Sequence, residues 1–121
     1  MHLEHVNLSV SDLDRSVAFY CDLLGVPVRW KGPIDEHRLG AHVGDDRCYL
    51  ALFQAAEDGS VEQDYTRPGL NHFGFVVDNL DDARQRLDQL GATVHHEADY
   101  DPGRRVYFLD PDGHEVELVQ Y

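Results

Sequence analysis

The 121-residue chain contains two copies of one pattern, and this repeat limits what it can fold into more than any other feature. HVNLSVSDLDRSVAFYCDLLGVPV from His5 aligns with HFGFVVDNLDDARQRLDQLGATV from His72. His5 falls on His72, Leu13 on Leu80 and Leu23 on Leu90. After one deleted residue, Gly25 falls on Gly91 and Val28 on Val94, and the same register carries LALFQ at 50–54 onto VELVQ at 116–120. Chance matches a few apolar residues easily; it rarely matches strand, helix, turn and closing strand in order. The two modules run over about 1–55 and 68–121, with a polar, breaker-rich linker over about 56–67.

Each copy has a readable order. HVNLSV and HFGFVV alternate as strands do. In the first copy Ser11 is the expected helix N-cap, and Leu13, Val17, Tyr20 and Leu24 recur at helical spacing until Gly25 and Pro27 stop the helix. In the second, Asp78 or Asn79 caps, and Leu80, Ala83, Leu87 and Leu90 form the apolar stripe before Gly91. PVRW, RLGAHV and CYLALF then read as strands, as do ATVHHE, RVYFL and EVELVQY. DPDG at 110–113 has the residues of a type I turn between the last two. The pattern is β-α-β-β-β twice, an α+β chain.

Alternation decides which side chains share a face. The amphipathic helices need an apolar strand face, which Val6, Leu8 and Val10 supply in one copy and Phe73, Phe75 and Val77 in the other. His5 and His72 therefore point to the opposite face, as do Glu115, Glu117 and Val119. The repeat equates Glu117 with Ala51, so of four related positions three carry metal-ligand side chains. Two neutral imidazoles and one carboxylate suit Fe(II), and also Mn²⁺, Co²⁺, Ni²⁺ or Zn²⁺. Tyr49 and Phe53 flank Ala51 on its face and are expected to wall a substrate pocket, while Asn7 follows His5 in line to touch a substrate oxygen. His42 falls on Phe108 in this register and is expected on the helix side.

A formal net charge of −13 argues against nucleic acid and anionic membrane as partners, since both need a basic footprint. Cys21 and Cys48 form no metal or redox motif and read as reduced core thiols of a cytoplasmic protein. The N-terminus has no basic, apolar leader pattern.

HVNLSVSDLDRSVAFYCDLLG, NHFGFVVDNLDDA and YFLDPDGHEVELVQ resemble the vicinal oxygen chelate superfamily, which includes glyoxalase I, extradiol dioxygenases, fosfomycin-resistance enzymes and bleomycin-binding proteins. The resemblance implies two βαβββ modules forming a cupped mixed sheet with the helices on its outer face. It implies His5, His72 and Glu117 as ligands of a divalent metal that binds a small substrate through vicinal oxygens. It also implies a homodimer.

The branches differ in what they share with this chain. Ala51 stands where glyoxalase I has a fourth, carboxylate ligand. HHEADYDPGRR lacks the Lys- and Ser-rich anion site of the fosfomycin-resistance enzymes, and Arg67, Arg104 and Arg105 are expected to salt-bridge the acidic surface. Tyr107, ten residues before Glu117, matches an extradiol dioxygenase tyrosine and is expected to assist catalysis, with His95 or His96 as a substitute acid–base histidine. The leading expectation is extradiol-type oxygenase chemistry with Fe(II). The alternatives are a redox-neutral lyase, epimerase or thiol transferase using Mn, Ni, Co or Zn, and a non-catalytic drug-binding protein.

Overall fold

The computed structural model describes residues 1–121. The first module comprises β1 (His5–Val10), α1 (Leu13–Leu24), β2 (Val28–Pro33), β3 (Leu39–Gly44) and β4 (Tyr49–Gln54). The second comprises β5 (Phe73–Val76), α2 (Leu80–Gln89), β6 (Thr93–Tyr100), β7 (Gly103–Leu109) and β8 (Glu115–Gln120). Each builds its own four-stranded mixed sheet, ordered β1-β4-β3-β2 in one and β5-β8-β7-β6 in the other. In both, the first and last strands pair in parallel and the remaining pairs are antiparallel. The chain divides at Gly59 and Ser60. The segment read as linker is thus shared out: the Val61 N–H donates to the Asp112 carbonyl at 2.8 Å, tying residues from 60 onward to the second module.

The helices form because their apolar stripes have a sheet face to cover. Leu80, Ala83 and Leu87 are buried as the periodicity requires. In α1 the buried set is Leu13, Ser16, Phe19, Tyr20 and Leu23, so the stripe is rotated from the expected one, leaving Val17 and Leu24 half-buried. Ser16 is small enough to lie against the sheet where a larger side chain would hold the helix away. Asp12, one position beyond the expected Ser11, is the N-cap and accepts from the Arg15 N–H at 3.2 Å. The Ser11 hydroxyl is engaged instead by the Arg15 side chain at 3.1 Å. Asn79 caps α2.

One contact shows how fully the repeat is built. The Gln54 carboxamide oxygen at the end of β4 accepts the N–H of Leu13, the first residue of α1, at 2.9 Å. Gln120 at the end of β8 accepts the N–H of Leu80, the first residue of α2, at 2.7 Å. Each glutamine satisfies a helix N–H that has no partner within its own helix.

The register corrects one expectation. Ala51 faces His42 across β3 and β4, and Glu117 faces Tyr107 across β7 and β8. His42 is therefore the counterpart of Tyr107, not of Phe108, and lies on the face opposite α1, half-buried between the buried Ala41 and Val43. The cause is the hairpin between β2 and β3, one residue longer than that between β6 and β7, followed by a β3–β4 connection one residue shorter than that between β7 and β8, so only β3 is shifted. A one-residue slip turns every side chain over.

Candidate metal and substrate site

β8 is the central element of the second module and is buried along almost its whole length. Its two carboxylates, Glu115 and Glu117, are only 6% and 8% exposed. A buried carboxylate is costly unless it is paired, and each has partners. His72, just ahead of β5, brings Nε2 to 3.2 Å from Glu117 Oε2. The other oxygen of Glu117 accepts from the Arg105 guanidinium, which is nearly buried. Gly74 lies opposite Glu117 in the ladder, where an added Cβ would sit 3.4 Å from Glu117 Cβ.

Tyr107 meets His72 edge-on, with ring centroids 5.4 Å apart. Burial, and then the negative charge of Glu117, push its phenol above the usual range. Glu115 accepts from the Tyr65 hydroxyl, and its second oxygen lies 3.4 Å from His95 Nε2. That bond raises the Tyr65 pKa to about 12, with burial adding to it.

The first module repeats this arrangement with other chemistry. His5 stacks on Tyr49 with centroids 5.0 Å apart, His42 stacks on the same ring at 4.6 Å, and Trp30 leans on His42 at 4.9 Å. The Arg29 guanidinium lies 4.5 Å from the Tyr49 ring centre. Position by position, His5, Arg29, Trp30, His42, Tyr49 and Ala51 stand where the second module has His72, His95, His96, Tyr107, Glu115 and Glu117. His5 Nδ1 is held by Glu4 at 2.9 Å, leaving Nε2 as its free nitrogen. Desolvation, and then the positive Arg29, lower the pKa of His42, favouring neutral imidazole.

Of the residues expected in the site, His72, Glu117 and Tyr107 come together in the second module. His5 and Tyr49 come together in the first. The Asn7 carboxamide donates to the Ala51 carbonyl at 2.8 Å, so one of its two N–H groups is occupied by backbone. Phe53 is half-buried and paired with Gly40, where an added Cβ would lie 3.0 Å from Phe53 Cδ1. Arg67 and Arg104 pair with Asp64 and Asp81 at 2.8 and 2.7 Å, as surface cations do. Arg105 departs from that expectation by turning inward to Glu117. His114 holds the DPDG turn, its Nδ1 2.8 Å from Asp110 Oδ2.

Sequence reasoning left Glu115 without a role, although it shares parity with Glu117. It gave Tyr65 none, because nothing local marks a linker tyrosine as a partner for β8. The structure brings no three His, Cys, Asp or Glu side chains together into a group that could hold a metal ion; the pair His72 and Glu117 is as far as the donor set is assembled.

Two repeated βαβββ modules, with a histidine at the head of each first strand and a buried glutamate on the last, define a class. The chain belongs to the Glyoxalase/Bleomycin resistance protein/Dioxygenase superfamily, whose family model matches residues 2–118. It is similar to the glutathione transferase FosA of Serratia marcescens, with 37% identity covering 96% of this chain and 78% of that one. It is also similar to the lactoylglutathione lyase of Salmonella typhimurium, with 31% identity covering 99% of this chain and 93% of that one. Among solved structures, a glyoxylase/bleomycin resistance protein/dioxygenase domain from Frankia sp. EAN1pec superposes with a TM-score of 0.83 at 29% identity, covering 99% of this chain and 91% of that one. No helix is long and apolar enough to cross a membrane.

Proposed function

We propose that the protein is a divalent-metal-dependent enzyme that transfers or rearranges groups on a small substrate bearing two adjacent oxygens, with His5, His72 and Glu117 as the metal ligands. The observation that carries this is the pair His72 Nε2 and Glu117 Oε2, 3.2 Å apart. Donors each about 2.1 Å from one ion, at right-angle to tetrahedral spacing, lie roughly 3.0–3.4 Å apart, so the separation fits a shared cation. The donor set also fits chemically: a carboxylate this buried gains from a positive charge beside it. His5, the residue of the first module that the repeat equates with His72, is the third ligand proposed.

When bound, the metal supplies Lewis acidity toward the substrate oxygens. The chain's residues do the rest. Tyr107, protonated and edge-on to His72, donates to an oxygen that gains charge. Arg105 holds one oxygen of Glu117 so that the other faces His72. Tyr49, stacked against His5 and His42, is the aromatic residue proposed to meet the substrate.

The names of the two relatives above, a transferase and a lyase, support redox-neutral chemistry. Both the transferase and the lyase act on glutathione or its adducts, and this chain spans 78% and 93% of their lengths. A glutathione thiol or thioester is the substrate class proposed. Ring-cleaving oxygenase chemistry with Fe(II) is the second reading, favoured by His95, whose Nε2 lies 3.4 Å from Glu115 and whose ring is 6.4 Å from Tyr107. That places an imidazole acid–base group within this cluster.

Element analysis of the purified protein is expected to find about one divalent metal per chain, lost in His72→Ala while circular dichroism is unchanged. Unaltered stoichiometry in that variant would refute the ligand assignment. Turnover of lactoylglutathione, or loss of free glutathione thiol with an electrophilic co-substrate, supports the first reading. Oxygen uptake with a catechol and iron in the protein supports the second.

A further inference from the structure

We infer that Tyr65 and Glu115 are positioning residues that set the tautomer of His72 and so aim its Nε2 at the metal; this rests on the metal-site reading above. The Tyr65 oxygen lies 3.2 Å from His72 Nδ1. Tyr65 has one hydroxyl proton and gives it to Glu115 Oε1, an oxygen itself 3.6 Å from His72 Nδ1. With its proton committed, the Tyr65 oxygen can only accept from His72, so Nδ1 carries the hydrogen. A neutral imidazole has one N–H, and Nε2 is then left with a lone pair. That lone pair faces Glu117 Oε2 at 3.2 Å, also an acceptor. Two acceptors at this distance repel unless a second proton or a metal cation lies between them. The chain of hydrogen bonds running from His72 through Tyr65 to Glu115 therefore keeps the hydrogen on Nδ1 and leaves Nε2 as the nitrogen that can ligate a metal.

Glu115 suits the task because it is buried and fixed on both sides. One oxygen takes the Tyr65 proton and the other lies 3.4 Å from His95 Nε2. Tyr65 comes from the segment beyond Gly59 that is tied to the second module through Val61 and Asp112. The same device stands in the first module in simpler form, where Glu4 holds His5 Nδ1 at 2.9 Å. A hydrogen-bond partner behind a ligating histidine fixes its tautomer and raises its basicity, and losing it typically costs ~10–100-fold in metal affinity.

Tyr65→Phe removes one hydroxyl from a tyrosine that is 54% exposed, so the fold should tolerate it. Two readouts decide. Nitrogen NMR of the metal-free protein is expected to show His72 as the Nδ1–H tautomer, shifting toward a mixture in Tyr65→Phe. Calorimetric titration with Zn²⁺ alone is expected to show affinity falling roughly 10–100-fold in Tyr65→Phe, and likewise in Glu115→Gln. Wild-type tautomer and wild-type affinity in both variants would overturn the inference. If the wild-type protein takes up no Zn²⁺, the metal-site reading fails while the tautomer comparison still decides this inference. If Zn²⁺ binds and only the variants are indifferent, the inference fails alone.

Discussion

A single side chain can be assigned a chemical state when every neighbour is counted. Glu117 shows where such counting starts: Arg105 occupies one oxygen and His72 faces the other. The turn that feeds β4 offers a sharper case. Asp45 Oδ1 accepts the N–H groups of Arg47 and Cys48 at 2.8 and 2.9 Å, which holds the carboxyl below its usual range. Burial, and then the negative Asp45, raise the Cys48 thiol above its usual value. A raised thiol pKa means less thiolate at a given pH, so reactivity should set in later as pH rises. Alkylation of Cys48 by iodoacetamide, followed by mass spectrometry across roughly pH 7–10, is expected to lag that of an unfolded control. Asp45→Asn is expected to shift the profile to lower pH. A profile matching the unfolded chain would show that neither burial nor Asp45 acts on the thiol.

At the scale of elements, the repeat made most of the architecture legible. Both first strands, both helices and both helix-stopping glycines stand where the pattern put them, because periodicity and capping are local properties. What escaped was decided by pairs distant in sequence. His42 was turned to the wrong face because the extra residue in the first hairpin leaves no trace in the apolar pattern. Tyr65 read as linker because its partner, Glu115, lies 50 residues away. Arg105 read as a surface cation because only the ladder shows it beside the face of Glu117.

The glutamine contacts lie between these extremes: the matched ends LALFQ and VELVQ displayed the residues but not their use. They are testable as elements. Gln120→Ala leaves the Leu80 N–H without its acceptor at a helix start, and such a loss typically costs about 1 kcal/mol. Gln54→Ala should cost a similar amount through Leu13. Urea unfolding is expected to show both midpoints falling with little change in slope, and the double variant losing roughly the sum, as separate sites do. Equal stability of either variant and wild type would show that water serves those helix ends as well.

For the molecule as a whole, the decisive issue is whether one ion is shared by the two modules. A ligand that binds only the folded protein stabilises it by an amount fixed by its concentration and affinity, about 2.7 kcal/mol at a hundred times Kd. Added Zn²⁺ should therefore raise the melting temperature of the wild-type protein, and a chelator should return it to the metal-free value. His5 and His72 sit at the head of β1 and just ahead of β5, far apart in the chain. If each held an ion of its own, His5→Ala and His72→Ala would each remove part of the increment, and the double variant would remove the sum. If both grip one ion, either substitution removes most of the increment and the double variant removes little more, a coupling that a double-mutant cycle reads directly. The shared site predicts the second pattern, with the chelated forms of all four proteins melting close together. Additive losses would separate the modules and leave His72 and Glu117 to bind metal without His5.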